Sequence, residues 1–226
     1  MSKKYAIIVA GGTGSRMGVQ MPKQFILLQG KPVLYYAVHS FLQAYPDTEI
    51  ILVLPFNYMD AGKEMINSFF PSNKIQITEG GDTRFQSVKN GLALVKEDSI
   101  IFVHDGVRCL TTPALIRRCY EAATVTGSAI PGIPSKDSIR LLNDRGSEVF
   151  NRNNVMLIQT PQTFDSKILL PAFETGYREE FTDEATVVEA SGVKVSLVEG
   201  EENNIKITRP VDLLVAEKIL EGGSDV

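Results

Sequence analysis

The stretch YAIIVAGGTGSRMGVQMPKQF, residues 5–25, restricts the fold more than any other part of the chain. Its first six residues form an apolar run rich in Ile and Val, the composition of a strand buried on both faces of a parallel sheet. The run ends at Gly11, Gly12 and Gly14, which lack a Cβ and let the backbone turn at positive φ with its N–H groups close to a polyanion. Two common phosphate-binding patterns do not fit. A P-loop starting at Gly11 or Gly12 needs a second glycine where Arg16 or Met17 stands, and a dinucleotide fingerprint starting at Gly12 needs one at Met17. The loop carries instead Arg16 and, after Pro22, Lys23, two fixed cations able to flank one triphosphate.

The rest of the composition narrows the class. With 226 residues, 43% hydrophobic and 22% charged, and no low-complexity linker, the chain is expected to form one soluble globular domain. A formal charge of −4 argues against a general nucleic-acid-binding surface and leaves room for a local cationic pocket, so a small-molecule partner is expected. The apolar run after Lys3 and Lys4 is too short for a secretory signal, and no stretch is long enough to span a bilayer. Cys109 and Cys119 have neither C-x-x-C spacing nor a metal-ligand cluster around them, which reads as two ordinary thiols in a reducing cytoplasm.

Taken in order, the pattern predicts a strand at 5–10, a helix carrying Leu34, Val38, Phe41 and Leu42, a strand at 49–54, a helix at 58–70 and a strand at 75–78. This alternation points to a mainly parallel sheet with right-handed crossovers. Gly80, Gly81, Asp82, Thr83 and Arg84 then repeat the opening arrangement before a helix at 85–95. Two readings of that loop stay open, a base pocket beside the first loop or a plain turn with Asp82 as helix cap. A strand at 99–103 runs into His104 and Asp105, placing a carboxylate at a strand tip, where it could hold Mg²⁺ directly or through water or accept a substrate hydroxyl. His104 reads as a satisfied structural histidine, and His39 lies on the first helix without a role.

Beyond these come a helix at 111–125 with Pro113 in its first turn and a strand at 128–133. The segments 137–142 and 147–151, around Asn143-Asp144-Arg145-Gly146, predict a hairpin with little core of its own, hence an arm at about 136–153 that a second copy of the chain would cover. A strand at 155–160 leads to a helix at 167–177; Thr182 reads as the cap of another helix, with Asp183 and Glu184 facing its dipole. A strand at 193–198 and a last helix carrying Leu213, Ala216 and Leu220 complete the chain.

AGGTGSRM, PKQF, EGGDTRFQSV, HDGVR, KDSIR, NRN, QTPQ, TDEA and NNIKITRP, in this order, resemble the motifs of the nucleotidyltransferases with a Rossmann-like sheet. Within that group they are most similar to the cytidylyltransferases acting on 2-C-methyl-D-erythritol 4-phosphate. The resemblance implies CMP transfer from CTP, with a divalent cation such as Mg²⁺, in a cytoplasmic homodimer of the non-mevalonate isoprenoid pathway. It makes Arg16 and Lys23 transition-state stabilisers, puts Ala10, Gly11 and Gly12 near the nucleotide, and sets Gly81, Asp82 and Ser87 around cytosine. It gives the acceptor to Asp105, Arg108, Ser138, Arg152, Thr160, Thr182 and Lys206, with Arg152 and Lys206 on its phosphate and Arg152 and Thr182 near a dimer interface.

Two positions depart from the family pattern: Asp-Ala-Ala-Arg-Pro is replaced by Asp105-Gly106-Val107-Arg108-Cys109, and the usual Thr hydroxyl comes from Ser138. Both changes keep the polar groups. The chemistry needs no catalytic base, because a phosphomonoester is mostly dianionic at neutral pH and its oxygen can attack the α-phosphorus of CTP directly. A ribitol-5-phosphate cytidylyltransferase and a non-catalytic nucleotide-binding domain are the alternatives, and four cations at 16, 23, 152 and 206 speak against the second.

Overall fold

A computed structural model describes residues 2–10, 22–144 and 146–222. The opening apolar run is β1 (Lys3–Val9), and after the short ribbon β2 (Leu27–Leu28) and β3 (Lys31–Pro32) come α1 (Val33–Ala44), β4 (Glu49–Leu54), α2 (Met59–Phe69), β5 (Ile75–Glu79), α3 (Arg84–Leu92) and β6 (Ser99–Asp105). The second half contains α4 (Pro113–Thr126), β7 (Ser128–Pro134), β8 (Ile139–Asn143), β9 (Gly146–Phe150), β10 (Met156–Ile158), β11 (Gln162–Asp165), α5 (Ser166–Ala172), α6 (Glu184–Ala190), β12 (Leu197–Glu199) and α7 (Pro210–Glu221).

Among the described residues the main sheet has the order β10-β7-β11-β6-β1-β4-β5, with β12 on β7. β1 pairs in parallel with β4 and β6, β4 with β5, and β7 with β12; β11 and β10 run antiparallel to their neighbours. The expected Rossmann-like α/β sheet is therefore present. Alternation along β1 sends Ala6 and Ile8 into a core under α1 and α4, and Tyr5 and Ile7 into a second core under α3, α5 and α6. Gly91 lets α3 approach closely, since a Cβ there would stand 2.7 Å from Ile7 Cγ2. A third apolar cluster seats Ile207 and Ala216 of the C-terminal segment against Leu28, Val33, Val107 and Leu110.

Local chemistry sets several boundaries. Thr112 caps α4 by accepting from Leu115 N, Pro113 occupies the first turn, and Gly127 ends the helix at φ +83°. Several expectations need correction: β12 begins at Leu197 rather than at 193, and α3 ends at Leu92 rather than at 95. Thr83, not Asp82, caps α3, accepting from Gln86 N; Asp183, not Thr182, caps α6, where Asp183 and Thr186 form a reciprocal box. Strand β11 falls where none was expected, and α5 stops at Ala172 with Phe173 as its cap rather than continuing to 177. The predicted hairpin is present as β8 and β9, in register from Ile139–Phe150 to Asn143–Gly146, and it forms its own two-stranded sheet. No helix of the described residues is long and apolar enough to cross a membrane.

Candidate active site

The carboxyl ends of β1, β5 and β6 open into a cleft, as expected for a ligand site on an open α/β sheet. On the nucleotide side a cavity of about 260 Å³ is bounded by Ala10, Lys23, Gly81, Asp82 and Ser87. Gln24 is buried and its Nε2 donates to Ala10 O at 2.7 Å, so the turn after Pro22 is fastened to the end of β1. Lys23 Nζ donates to Ile207 O at 2.8 Å. Ser87 works inside the second loop: its hydroxyl donates to Thr83 O at 2.9 Å and accepts from Gly81 N at 3.1 Å. Gly81 cannot carry a side chain without displacement, because a Cβ would lie 2.2 Å from Gln86 Cγ.

A second cavity of about 180 Å³ adjoins the first and includes Arg108, Thr160 and Thr182; Arg84, Asp105 and Lys206 line both. Asp105 meets three cations there, with Lys206 Nζ at 3.0 Å and Arg84 and Arg108 at 3.4 Å. Burial would raise this carboxyl, yet Arg84, Lys206 and Arg108 hold it well below the ordinary carboxylate range. Arg84 also grips the buried Glu184 through both terminal nitrogens. Burial pushes the Glu184 carboxyl upward against the pull of Arg84. The two linings together carry the cations Lys23, Arg84, Arg108 and Lys206 against the carboxylates Asp82, Asp105 and Asp183, and Lys23 and Lys206 give the cleft side chains able to meet phosphate groups.

Beneath Asp105 a closed hydrogen-bond network fixes the backbone. Asp105 N donates to Thr160 Oγ1, which donates to His104 Nδ1, both at 3.0 Å. Thr111 Oγ1 gives its own proton to Asn204 Oδ1 at 2.7 Å, so the His104 Nε2–H is the donor toward Thr111 Oγ1 and Arg108 O, each at 3.3 Å. Asn204 Nδ2 returns to Thr160 O at 2.8 Å, and Arg108 Nη1 donates to Asn204 O at 2.7 Å. His104 is completely buried, and desolvation holds its pKa down to about 4, which keeps the ring neutral as this network requires. The structural reading of His104 is thus correct. Thr160 spends its proton and one lone pair on the framework of the site.

The cleft gathers Ala10, Lys23, Gly81, Asp82, Ser87, Asp105, Arg108, Thr160, Thr182 and Lys206. Ser138 and Arg152 stand apart from its lining. Both are exposed, and Arg152 Nη1 donates to Lys136 O at 2.7 Å at the foot of the hairpin. Gly11, Gly12 and Arg16 lie outside the described residues. Gln24, Arg84, Glu184 and Asn204 were not foreseen as parts of the site. Cys109 and Cys119 are buried, free thiols, each pushed up to about 12 by burial.

Among the described residues the carboxyl edge of a mainly parallel sheet carries a glycine loop, four cations and no nucleophile–base pair, the arrangement expected of a nucleotidyltransferase. Residues 5–222 match the family model of IspD, 2-C-methyl-D-erythritol 4-phosphate cytidylyltransferase, and the chain belongs to that family. Two relatives of that name, from Bacteroides fragilis and Phocaeicola vulgatus, are 46% and 44% identical to it; the matches cover 95% and 96% of this chain and 98% and 99% of theirs. A crystal structure described as 4-diphosphocytidyl-2C-methyl-D-erythritol synthase, from Anaerococcus prevotii, superposes with a TM-score of 0.84 at 28% identity, covering 97% of this chain and 96% of that one.

Proposed function

We infer that the chain transfers CMP from CTP to 2-C-methyl-D-erythritol 4-phosphate, giving 4-diphosphocytidyl-2-C-methyl-D-erythritol and pyrophosphate in non-mevalonate isoprenoid synthesis. The observation that carries this reading is the pair of adjoining cavities that share Arg84, Asp105 and Lys206, one faced by a glycine loop and the other by cations and hydroxyls. CTP occupies the first cavity, with Gly81 and Asp82 reading cytosine from a loop that Ser87 holds in shape. The acceptor lies in the second, with its hydroxyls toward Asp105, Thr160 and Thr182 and its phosphate toward Lys206.

An oxygen of the acceptor phosphate attacks the α-phosphorus, the bond from that phosphorus to the β-phosphate oxygen breaks, and pyrophosphate leaves with the electron pair. No proton transfer is needed, since the nucleophile is already ionised. Lys23, together with Arg16, stabilises the charge that grows on the α-phosphoryl oxygens. Among the described residues no three carboxylate, imidazole or thiol groups gather as a metal site, and Asp105 already faces three cations. These residues would leave a divalent cation mainly to triphosphate oxygens, with Asp105 as a carboxylate that would hold it directly or through water. Such an ion, Mg²⁺ for example, would neutralise phosphoryl charge.

The hairpin is read as a dimerisation arm of a single domain. It exposes Leu142 and Val149 at 84% and 76%, and a strand pair this small and this apolar on its outside requires cover. Arg152 and Ser138, which stand apart from their own cleft, would then serve the neighbour's, near Thr182. A cytoplasmic location agrees with two buried unpaired thiols. Pyrophosphate release with CTP and each candidate acceptor tests the assignment. The methylerythritol phosphate should be turned over efficiently and ribitol 5-phosphate poorly, with ATP and GTP poor donors. Equal turnover of ribitol 5-phosphate, or of a purine nucleotide, would overturn it.

A further inference from the structure

Arg84 lines both cavities without a step of its own in the reaction as derived above, and Glu184, which lines neither, is its buried partner. Glu184 has a side chain only 1% exposed, and a buried carboxylate in bidentate contact with a guanidinium is fixed in both position and orientation. The same guanidinium turns its Nε and Nη2 toward Asp105 Oδ1, each at 3.4 Å. Glu184 is itself held from the other side. Gln162 of β11 donates to Asp183 Oδ2 at 2.8 Å and accepts from Ala185 N at 2.9 Å, bracketing Glu184 and pinning the start of α6 to the sheet. A continuous path therefore runs from β11 through α6 and the first residue of α3 to the tip of β6.

We infer that Glu184, acting through Arg84, is a positioning residue that sets the Asp105 carboxylate for the acceptor and couples the start of α3 to the acceptor side of the cleft. This rests on the function proposed above. A pair that only glued α3 to α6 would affect stability and nothing else, so the two roles separate in kinetics.

Glu184→Gln keeps the shape and one accepting oxygen but removes the charge, leaving Arg84 drawn toward Asp105. Arg84→Lys keeps the charge but replaces the planar fork by a point donor that cannot span two carboxylates. In the full chain, below each variant's Tm, the acceptor KM should rise about tenfold in both variants, and in Glu184→Gln, whose residue lines neither cavity, the CTP KM should stay within about twofold, the signature of one mis-set charged hydrogen bond on the acceptor side. Unchanged acceptor KM in both variants, with Tm alone lowered, would overturn the proposal. If Glu184→Gln does not fold, Arg84→Lys decides by the same criterion. Wild-type protein that releases no pyrophosphate from CTP and methylerythritol phosphate would remove the functional reading and this proposal together. An active wild type with unshifted variants removes the positioning role alone.

Discussion

Lys23 Nζ donates to the main-chain carbonyl of Ile207 at 2.8 Å, joining residues 184 positions apart. Ile207 is fully buried and its N–H donates to Val107 O at 2.9 Å, so the contact ties the first loop, the turn after β6 and the segment before α7 together at one point. Lys206, the preceding residue, reaches Asp105 from that anchor. Lys23 and Lys206 are thus both placed through the buried Ile207.

Lys23→Ala should lower kcat by about 10²–10³ with a smaller change in the CTP KM, because a preorganised donor acts mainly on charge that develops in the transition state. Steady-state kinetics with CTP varied at saturating acceptor measures this. A near-normal kcat with only a raised KM would make Lys23 a ground-state binder.

Gly81→Ala addresses the base loop and its packing on the first turn of α3. The added methyl would stand 2.2 Å from Gln86 Cγ and 2.6 Å from Gln86 Cβ, so the loop or the first turn of α3 must shift. The CTP KM should rise about tenfold or more, with a smaller rise in the acceptor KM. Isothermal titration of the nucleotide gives an independent reading, and wild-type CTP affinity would contradict the assignment of this loop to cytosine.

His104 makes stability depend on pH with a definite sign. Its folded-state pKa, about 4, lies below the ordinary value of 6.5, so the unfolded chain takes up its proton first on acidification. The stability this residue contributes is fully present above pH 6.5 and is lost progressively as pH falls to about 4, up to about 3 kcal/mol in all. Urea unfolding across that range should show a steeper loss for wild type than for His104→Gln. Parallel curves would mean that the ring titrates normally.

Much of the fold was legible because it is written in local periodicity and turn chemistry: β1, β4, α4 with its Pro113, and the hairpin all fall close to where pattern places them. Strand β11 was not, since Gln162-Thr163-Phe164-Asp165 holds one large apolar residue; it is a strand because β6 and β7 flank it and bury Thr163 completely. The caps of α3 and α6 are each displaced by one position because two adjacent residues could serve, and backbone geometry chose between them. Glu184 looked like a carboxylate on a helix dipole; its partner Arg84 is 100 residues away, a distance over which pattern carries no information. Gln24 had a faint signal in its place after Pro22 and Lys23, but its target, a main-chain carbonyl, leaves no mark in the sequence.

The arm calls for a test of its own. Arg152→Ala and Lys23→Ala proteins, each inactive alone, are mixed, unfolded and refolded, with heterodimer formation checked independently. Random reassociation makes roughly half the dimers mixed, each with one intact site of two, so activity should recover to about a quarter of wild type. No recovery in a verified heterodimer would place Arg152 and Lys23 in one subunit's site.

The most direct measurement follows the bond that forms. 2-C-methyl-D-erythritol 4-phosphate carrying ¹⁸O in its terminal phosphate oxygens is incubated with CTP, a divalent cation and the protein, and the products are read by ³¹P NMR. Direct attack on the α-phosphorus predicts a cytidine diphosphate diester with ¹⁸O in the bridge between its phosphorus atoms, together with unlabelled pyrophosphate. Label in the pyrophosphate, or no diphosphate-linked product, would contradict the account.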